Sequence, residues 1–160
     1  MIAWRLTKRK WADQALSGEG ARLAGGRWNN AGWPVVYLSE NLSLCVLEIL
    51  AHTQDEDFGD RFVAIPMDIP DALIREIRLA DLPRDWTRRK DDFRATRRIG
   101  DEWILGRKSA ALRVPSILVP RESNLILNTL HPDFHRVKAG PAEPFWMDPR
   151  FRNKLSTTGR

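Results

Sequence analysis

Residues 41–52, NLSLCVLEILAH, form an apolar run broken by a single carboxylate, and this run limits the folds open to the chain. At helical spacing Leu42, Val46, Ile49 and Leu50 make one apolar face, and Leu44 and Leu47 carry it almost all the way round. A helix that is apolar on every side is expected to be buried. Glu48 shares a stripe with Leu44, Cys45, Ala51 and His52, three and four residues away. It is therefore expected to be at least half buried, and a buried carboxylate needs a cation, hydrogen-bond donors or a proton. Two readings stand side by side: a structural ion pair or helix edge, and a carboxylate that lines a pocket.

The rest of the chain supplies short strands around this helix. WRL at 4–6 reads as a first strand, and 10–16 as one or two helical turns ended by Gly18 and Gly20. A glycine-rich loop, LAGGRWNNAGWP, leads to a strand at 34–39, and Ser39 or Asn41 can cap the helix that follows. Strands are expected at 61–69, 73–79, 109–120 and 124–128, and an amphipathic helix at 91–107. Asp91 and Asp92 fall in its first turn, where the helix dipole favours them, and Gly100 weakens its middle. From His131 onward the pattern predicts an irregular wrap. Many short strands with an early and a late helix predict an α+β fold, with mixed or antiparallel sheets and flanking helices. The 160 residues suit a single domain over 1–155, with a disordered tail at 156–160.

Composition narrows the function classes. One cysteine, Cys45, excludes an internal disulfide and a cysteine-based zinc site. No apolar run is long enough to span a membrane and the N-terminus lacks a signal-peptide core, so a cytoplasmic location is expected. A net charge of +5 favours anionic partners without choosing among nucleic acid, nucleotide and acidic protein. His52, His131 and His135 are the only histidines and form no zinc motif.

Several side chains admit both a structural and a functional reading. Arg27 follows Gly25 and Gly26: it is a turn with an exposed Arg, or a guanidinium brought close to a phosphate. Tyr37 is a core ring or a stacking surface. Ser116 follows Pro115 without a nucleophile elbow and reads as a strand serine bonded to backbone. The basic clusters at 88–90 and 97–98 read as a solvated face; a dinucleotide's phosphates are the other reading, with nothing local to favour it.

Taken together, GEGARLAGGRWNNAGWPVVYLSENLSLCVLEILAH (18–52) and VPSILVPRESNLILNTLHPDF (114–134) resemble the two signature blocks of the RES domain, the toxin half of RES–Xre toxin–antitoxin pairs. The blocks cover about a third of the chain. The family is named for its Arg, Glu and Ser, which match Arg27, Glu48 and Ser116 here, and Tyr37 falls where the family has an active-site Tyr. The resemblance implies a fold similar to ADP-ribosylating toxins and consumption of NAD as a substrate, with no prosthetic group and no metal. ADP-ribose would pass to water, phosphate or a protein, and a helical Xre-class antitoxin would cover the active site. In that reading Glu48 stabilises the cationic ribose, Arg27 clamps the pyrophosphate and Tyr37 stacks on nicotinamide. Ser116 bonds the ribose or the nicotinamide amide, and Trp28, Asn29 and Trp33 shape the wall. Neither membrane association nor direct nucleic-acid binding is expected. The competing classes are a basic nuclease or RNA-binding toxin, suggested by the net charge and the Arg-rich segment 84–98, and a non-enzymatic module that holds an acidic partner.

Overall fold

A computed structural model describes residues 1–52, 62–84, 86–87, 93–148 and 150. The start of the expected strand at 61, the basic cluster 88–90, Asp91, Asp92 and the tail 156–160 lie outside the described residues.

Among the described residues eight strands form one sheet in the order β4-β5-β6-β2-β1-β3-β7, with β8 also paired to β3. They are β1 (Ile2–Lys8), β2 (Val35–Ser39), β3 (Phe62–Asp68), β4 (Ile74–Glu76), β5 (Ala111–Pro115), β6 (Ser123–Asn128), β7 (Lys138–Ala139) and β8 (Glu143–Phe145). Every pair is antiparallel except β4 with β5. Among the described residues three α-helices accompany the sheet: α1 (Glu19–Ala24), α2 (Leu42–His52) and α3 (Arg94–Gly106). The chain is thus α+β with a mixed, mostly antiparallel sheet, as its pattern predicts.

The two-residue period of the strands sorts the core. Val36 and Leu38 of β2, with Val63, Ile65 and Met67 of β3 and Leu125 and Leu127 of β6, build one apolar cluster. Val35, Leu112, Val114 and Ile126 point the other way and meet Trp28, Trp103 and Ile104. A third cluster joins Leu6, Phe62 and Ala64 to Cys45, Leu42, Val46, Ile49 and Leu50 of α2.

One seam in this sheet creates the site. β1 pairs with β3 along its whole length, from Ile2↔Asp68 to Lys8↔Phe62. With β2 it pairs only at Trp4↔Ser39. Below that point the strands part, and the Arg5 guanidinium spans the gap, donating from Nη1 to the Tyr37 carbonyl at 2.8 Å. A buried carbonyl that has lost its ladder partner needs a donor, and Arg5 supplies it.

Several expectations need correction. α2 is capped by Asn41, whose Oδ1 accepts from the Leu44 N–H at 2.8 Å, but it is not buried all round. Leu44 and Cys45 are buried while Leu47 is 42% exposed, because one face packs on the third cluster and the other borders open space. α1 was not expected, since Gly20 reads as a break; the helix runs through it after a left-handed Gly18 (φ 69°). The expected strand at 73–79 shrinks to Ile74–Glu76 between two 3-10 turns, Asp71–Leu73 and Leu79–Asp81. The segment after His131 is more regular than a wrap, because β7 and β8 add edge strands to β3. α3 runs through Gly100 unbroken for a packing reason: a Cβ there would sit 1.7 Å from the Trp28 carbonyl oxygen. Among the described residues no helix is long and apolar enough to cross a membrane.

Candidate active site

The parted strands open into a cavity of about 820 Å³, within the ~300–1,000 Å³ typical of small-molecule sites. β1 contributes Arg5, the glycine-rich loop Gly25 to Trp28, β2 Tyr37, α2 Glu48 and His52, and the start of α3 Phe93 and Arg97.

At one end stands Glu48. Its Oε1 accepts from Asn124 Nδ2 at 2.6 Å and from Ser116 Oγ at 3.0 Å. Both donors are fixed in turn. Ser116 Oγ accepts from the Leu118 and Val119 N–H groups at 3.1 and 3.2 Å, and Asn124 Oδ1 accepts from Ser39 Oγ at 2.8 Å. The register Ser39↔Asn124 between β2 and β6 sets that last bond. Oε2 has no hydrogen-bond partner among the described residues. The carboxylate is therefore held from behind through one oxygen. Such charge-assisted bonds are short and directional, which fixes the charge before any ligand arrives.

At the other end the loop that carries Arg27 is folded around Tyr37. Gly25 adopts φ 69°, a left-handed conformation that glycine takes without strain. A Cβ on Gly26 would lie 2.5 Å from the Tyr37 hydroxyl, so only glycine fits there. That hydroxyl donates to Asn29 Oδ1 at 2.7 Å and accepts from the Trp28 N–H at 3.0 Å. Burial pushes the Tyr37 phenol well above its ordinary value, so it stays neutral. Asn29 is fully buried and donates to the Ala21 and Asn30 carbonyls at 3.1 and 2.9 Å.

α3 grips the same loop from outside. Thr96 Oγ1 donates to the Arg27 carbonyl at 2.6 Å, and Arg97 Nε to the Gly26 carbonyl at 2.8 Å. Asp101 accepts from the Asn30 N–H and Nδ2 at 3.0 and 2.6 Å. The Arg27 side chain is left to face the cavity. Its guanidinium lies 4.3 Å from the centroid of the Phe93 ring, with Nη1 3.4 Å from the Trp86 carbonyl. Burial lowers the Arg27 pKa, and the negative charge of Glu48 works against that shift. The two groups thus share one electrostatic environment.

The RES domain family profile matches residues 2–148. The chain belongs to the RES domain family. Among the relatives of this RES domain is "Toxin Res" of Photorhabdus laumondii subsp. laumondii, 43% identical over 136 residues, which span 85% of this chain and 86% of that protein. Another is "Prs ADP-ribosylating toxin" of Sphingobium sp., 31% identical over 156 residues, 94% of this chain and 96% of that one. In fold the RES domain resembles the crystal structure of the M. tuberculosis MbcT–MbcA toxin–antitoxin complex. The TM-score is 0.74 at 22% identity, over 98% of this chain and 89% of that one.

In this RES domain the residues read from the sequence fall into three groups. Arg27, Trp28, Tyr37 and Glu48 line the cavity. Ser116 and Asn29 are fully buried behind it, one bonded to Glu48 and the other to Tyr37. Trp33 lies away from the cavity wall, half-buried against the second core cluster. Sequence reasoning missed Asn124, Phe93, Thr96 and Asp101, and for Arg97 it gave a dinucleotide's phosphates only as the second reading of its cluster. Asn124 carried a faint signal, a polar residue opening the apolar strand NLILN. Arg97 belongs to a cluster taken for a solvated face, but it turns into the cavity while Arg98 is exposed. Among the described residues no group of three or more His, Cys, Asp or Glu is placed to hold a metal ion.

Proposed function

We propose that this RES-domain protein is an NAD-consuming toxin of a toxin–antitoxin pair, cleaving the bond between nicotinamide and ribose. The observation that carries the reading is the charge pattern of one cavity: a fixed carboxylate on its α2 wall and a stacked guanidinium on its loop wall. NAD has the complementary layout, with a pyrophosphate dianion at its middle and a cationic nicotinamide ring at one end. The names of the relatives, a toxin, an ADP-ribosylating toxin and a toxin–antitoxin complex, agree with it.

In this mechanism the C1′–N bond breaks with its electron pair leaving on nicotinamide, which departs neutral. Positive charge gathers on the ribose, as in glycoside cleavage. Glu48 faces that charge through Oε2, in a site where water competes poorly. The acceptor, a water, phosphate or protein side chain, then adds to C1′, and Glu48 is suited to orient it or take its proton. Arg27 holds the pyrophosphate by charge-assisted bonds. Tyr37 offers its ring to nicotinamide, since its hydroxyl is already committed to the loop. Ser116 acts through Glu48 rather than on the ribose or the amide, because its hydroxyl has no exposed surface. Trp28 contributes wall, and Asn29 and Trp33 support the loop. No prosthetic group takes part.

The partner in this reading is an Xre-like antitoxin seated over the cavity mouth, where Trp11 and Leu23 are 49% and 65% exposed. Incubating the protein with NAD labelled in its adenylate half, with and without cell lysate, tests the reaction and names the acceptor. Label on protein, in free ADP-ribose or in ADP-ribose 1″-phosphate identifies protein, water or phosphate. Intact NAD in every sample, alongside degraded total RNA in a parallel one, would replace this reading by a nuclease.

A further inference from the structure

We infer that Arg97 is the second arm of the anion clamp, holding one phosphate of the pyrophosphate while Arg27 holds the other. The inference rests on the NAD reading and goes further by assigning a residue of α3 to the substrate. Both guanidiniums lie over the same ring: Arg27 is 4.3 Å and Arg97 5.2 Å from the centroid of Phe93. Both line the cavity. Among the described residues neither forms an ion pair, and the nearby carboxylate of Asp101 is committed to Asn30. Two like charges beside one ring repel each other, and an anion bound between them offsets that repulsion. A single carboxylate or phosphate monoester satisfies one fork; a pyrophosphate diester presents two anionic centres in fixed succession.

The backbone sets the spacing of the arms. Arg97 Nε is bonded to the Gly26 carbonyl, and Thr96 Oγ1 to the Arg27 carbonyl one residue on. Consecutive residues of α3 therefore hold consecutive carbonyls of the loop. With Nε used, Arg97 keeps its terminal Nη donors for a ligand. Phe93 gives both planes a shared flat surface, which lowers the cost of ordering them.

A purely structural Arg97, one that only braces Gly26, makes a different prediction, and ligand chemistry separates the two. The probes are ADP-ribose, which has the pyrophosphate, and nicotinamide riboside, which has no phosphate. Binding is measured by calorimetry and ligand-observed NMR in a Glu48→Gln background, so that nothing is consumed. The clamp predicts that adding Arg97→Leu weakens ADP-ribose roughly 10- to 100-fold, the range for losing a charged hydrogen-bonding partner. Nicotinamide riboside should change by less than about twofold. Arg97→Lys retains the charge but loses the fork, and should fall between parent and Arg97→Leu for ADP-ribose alone. It carries the test if Arg97→Leu fails to fold. Equal losses for both ligands, or no loss for either, would overturn the clamp. A folded Glu48→Gln parent that binds neither ligand would remove the NAD reading and the clamp with it.

Discussion

The two ends of the cavity are built on opposite principles. The Glu48 end is held side chain to side chain, by Ser116 and Asn124 from the sheet and the turn beside it. The Arg27 end is held through its backbone: α3 binds the loop carbonyls, and the guanidinium lies on the Phe93 ring with a single long bond from Nη1 to the Trp86 carbonyl. A catalytic carboxylate gains from being fixed before the transition state forms, because no reorganisation is then needed. A group that grips a substrate needs a fixed root and an adaptable tip. The difference in support thus matches a difference in task, chemistry at one end and binding at the other.

The largest effect that would break this comparison is at the carboxylate. Glu48→Gln keeps the shape and removes the charge, and should lower the rate of nicotinamide release on the order of 100- to 1,000-fold. Its melting temperature should stay near that of the parent, because a neutral amide keeps an acceptor for both donors. A Gln variant that is folded and fully active would end the division of labour.

Gly100→Ala attacks the other end from behind. Its methyl would meet the Trp28 carbonyl oxygen, so helix and loop must separate. An overpacking cost of about 1–3 kcal/mol is expected, read as a lower melting temperature, with a raised KM as the loop shifts. An unchanged KM would mean that the grip of α3 on the loop does not matter to binding.

Ser116→Ala sharpens the comparison further. It leaves Glu48 with Asn124 as its only donor among the described residues. Loss of a group that orients a catalytic one should reduce kcat about 10-fold with KM nearly constant. A Ser116 that touched substrate in its bound state would show its loss in KM instead.

The smallest effect is at Tyr37. Tyr37→Phe removes the bonds to Asn29 and the Trp28 N–H, at about 1–2 kcal/mol of stability. The pH dependence has a definite sign. The folded pKa lies above the unfolded value of 10.0, so the stabilisation is complete below that pH and is lost as pH rises beyond it. Above pH 10 the melting temperature of the parent should fall faster than that of Tyr37→Phe.

How much of this was legible in the sequence follows the same division. β2 and α2 were readable from period and cap, and the pairing of Arg27 with Glu48 from the RES-like blocks. The same blocks point to Ser116 as a site residue, but neither its role as a support of Glu48 nor Asn124 was legible. Ser116 and Asn124 reach Glu48 across 68 and 76 residues of chain, through a register that no local pattern encodes. Arg97 and Arg98 are identical by type, and it is the docking of α3 on the loop, through Thr96, Arg97, Gly100 and Asp101, that leaves Arg97 on the cavity side. α1 escaped notice because six residues containing a glycine hold too little periodicity to outweigh the break that Gly20 suggests. Leu47 reads as interior from a helix that is apolar almost all the way round, yet composition cannot say which faces receive a partner element.

The most direct test is a crystal structure of the Glu48→Gln protein with NAD bound. The account predicts the nicotinamide ribose beside position 48 and the pyrophosphate within hydrogen-bond reach of Arg27. A dinucleotide bound in the opposite direction, or outside the cavity between β1 and β2, would contradict it.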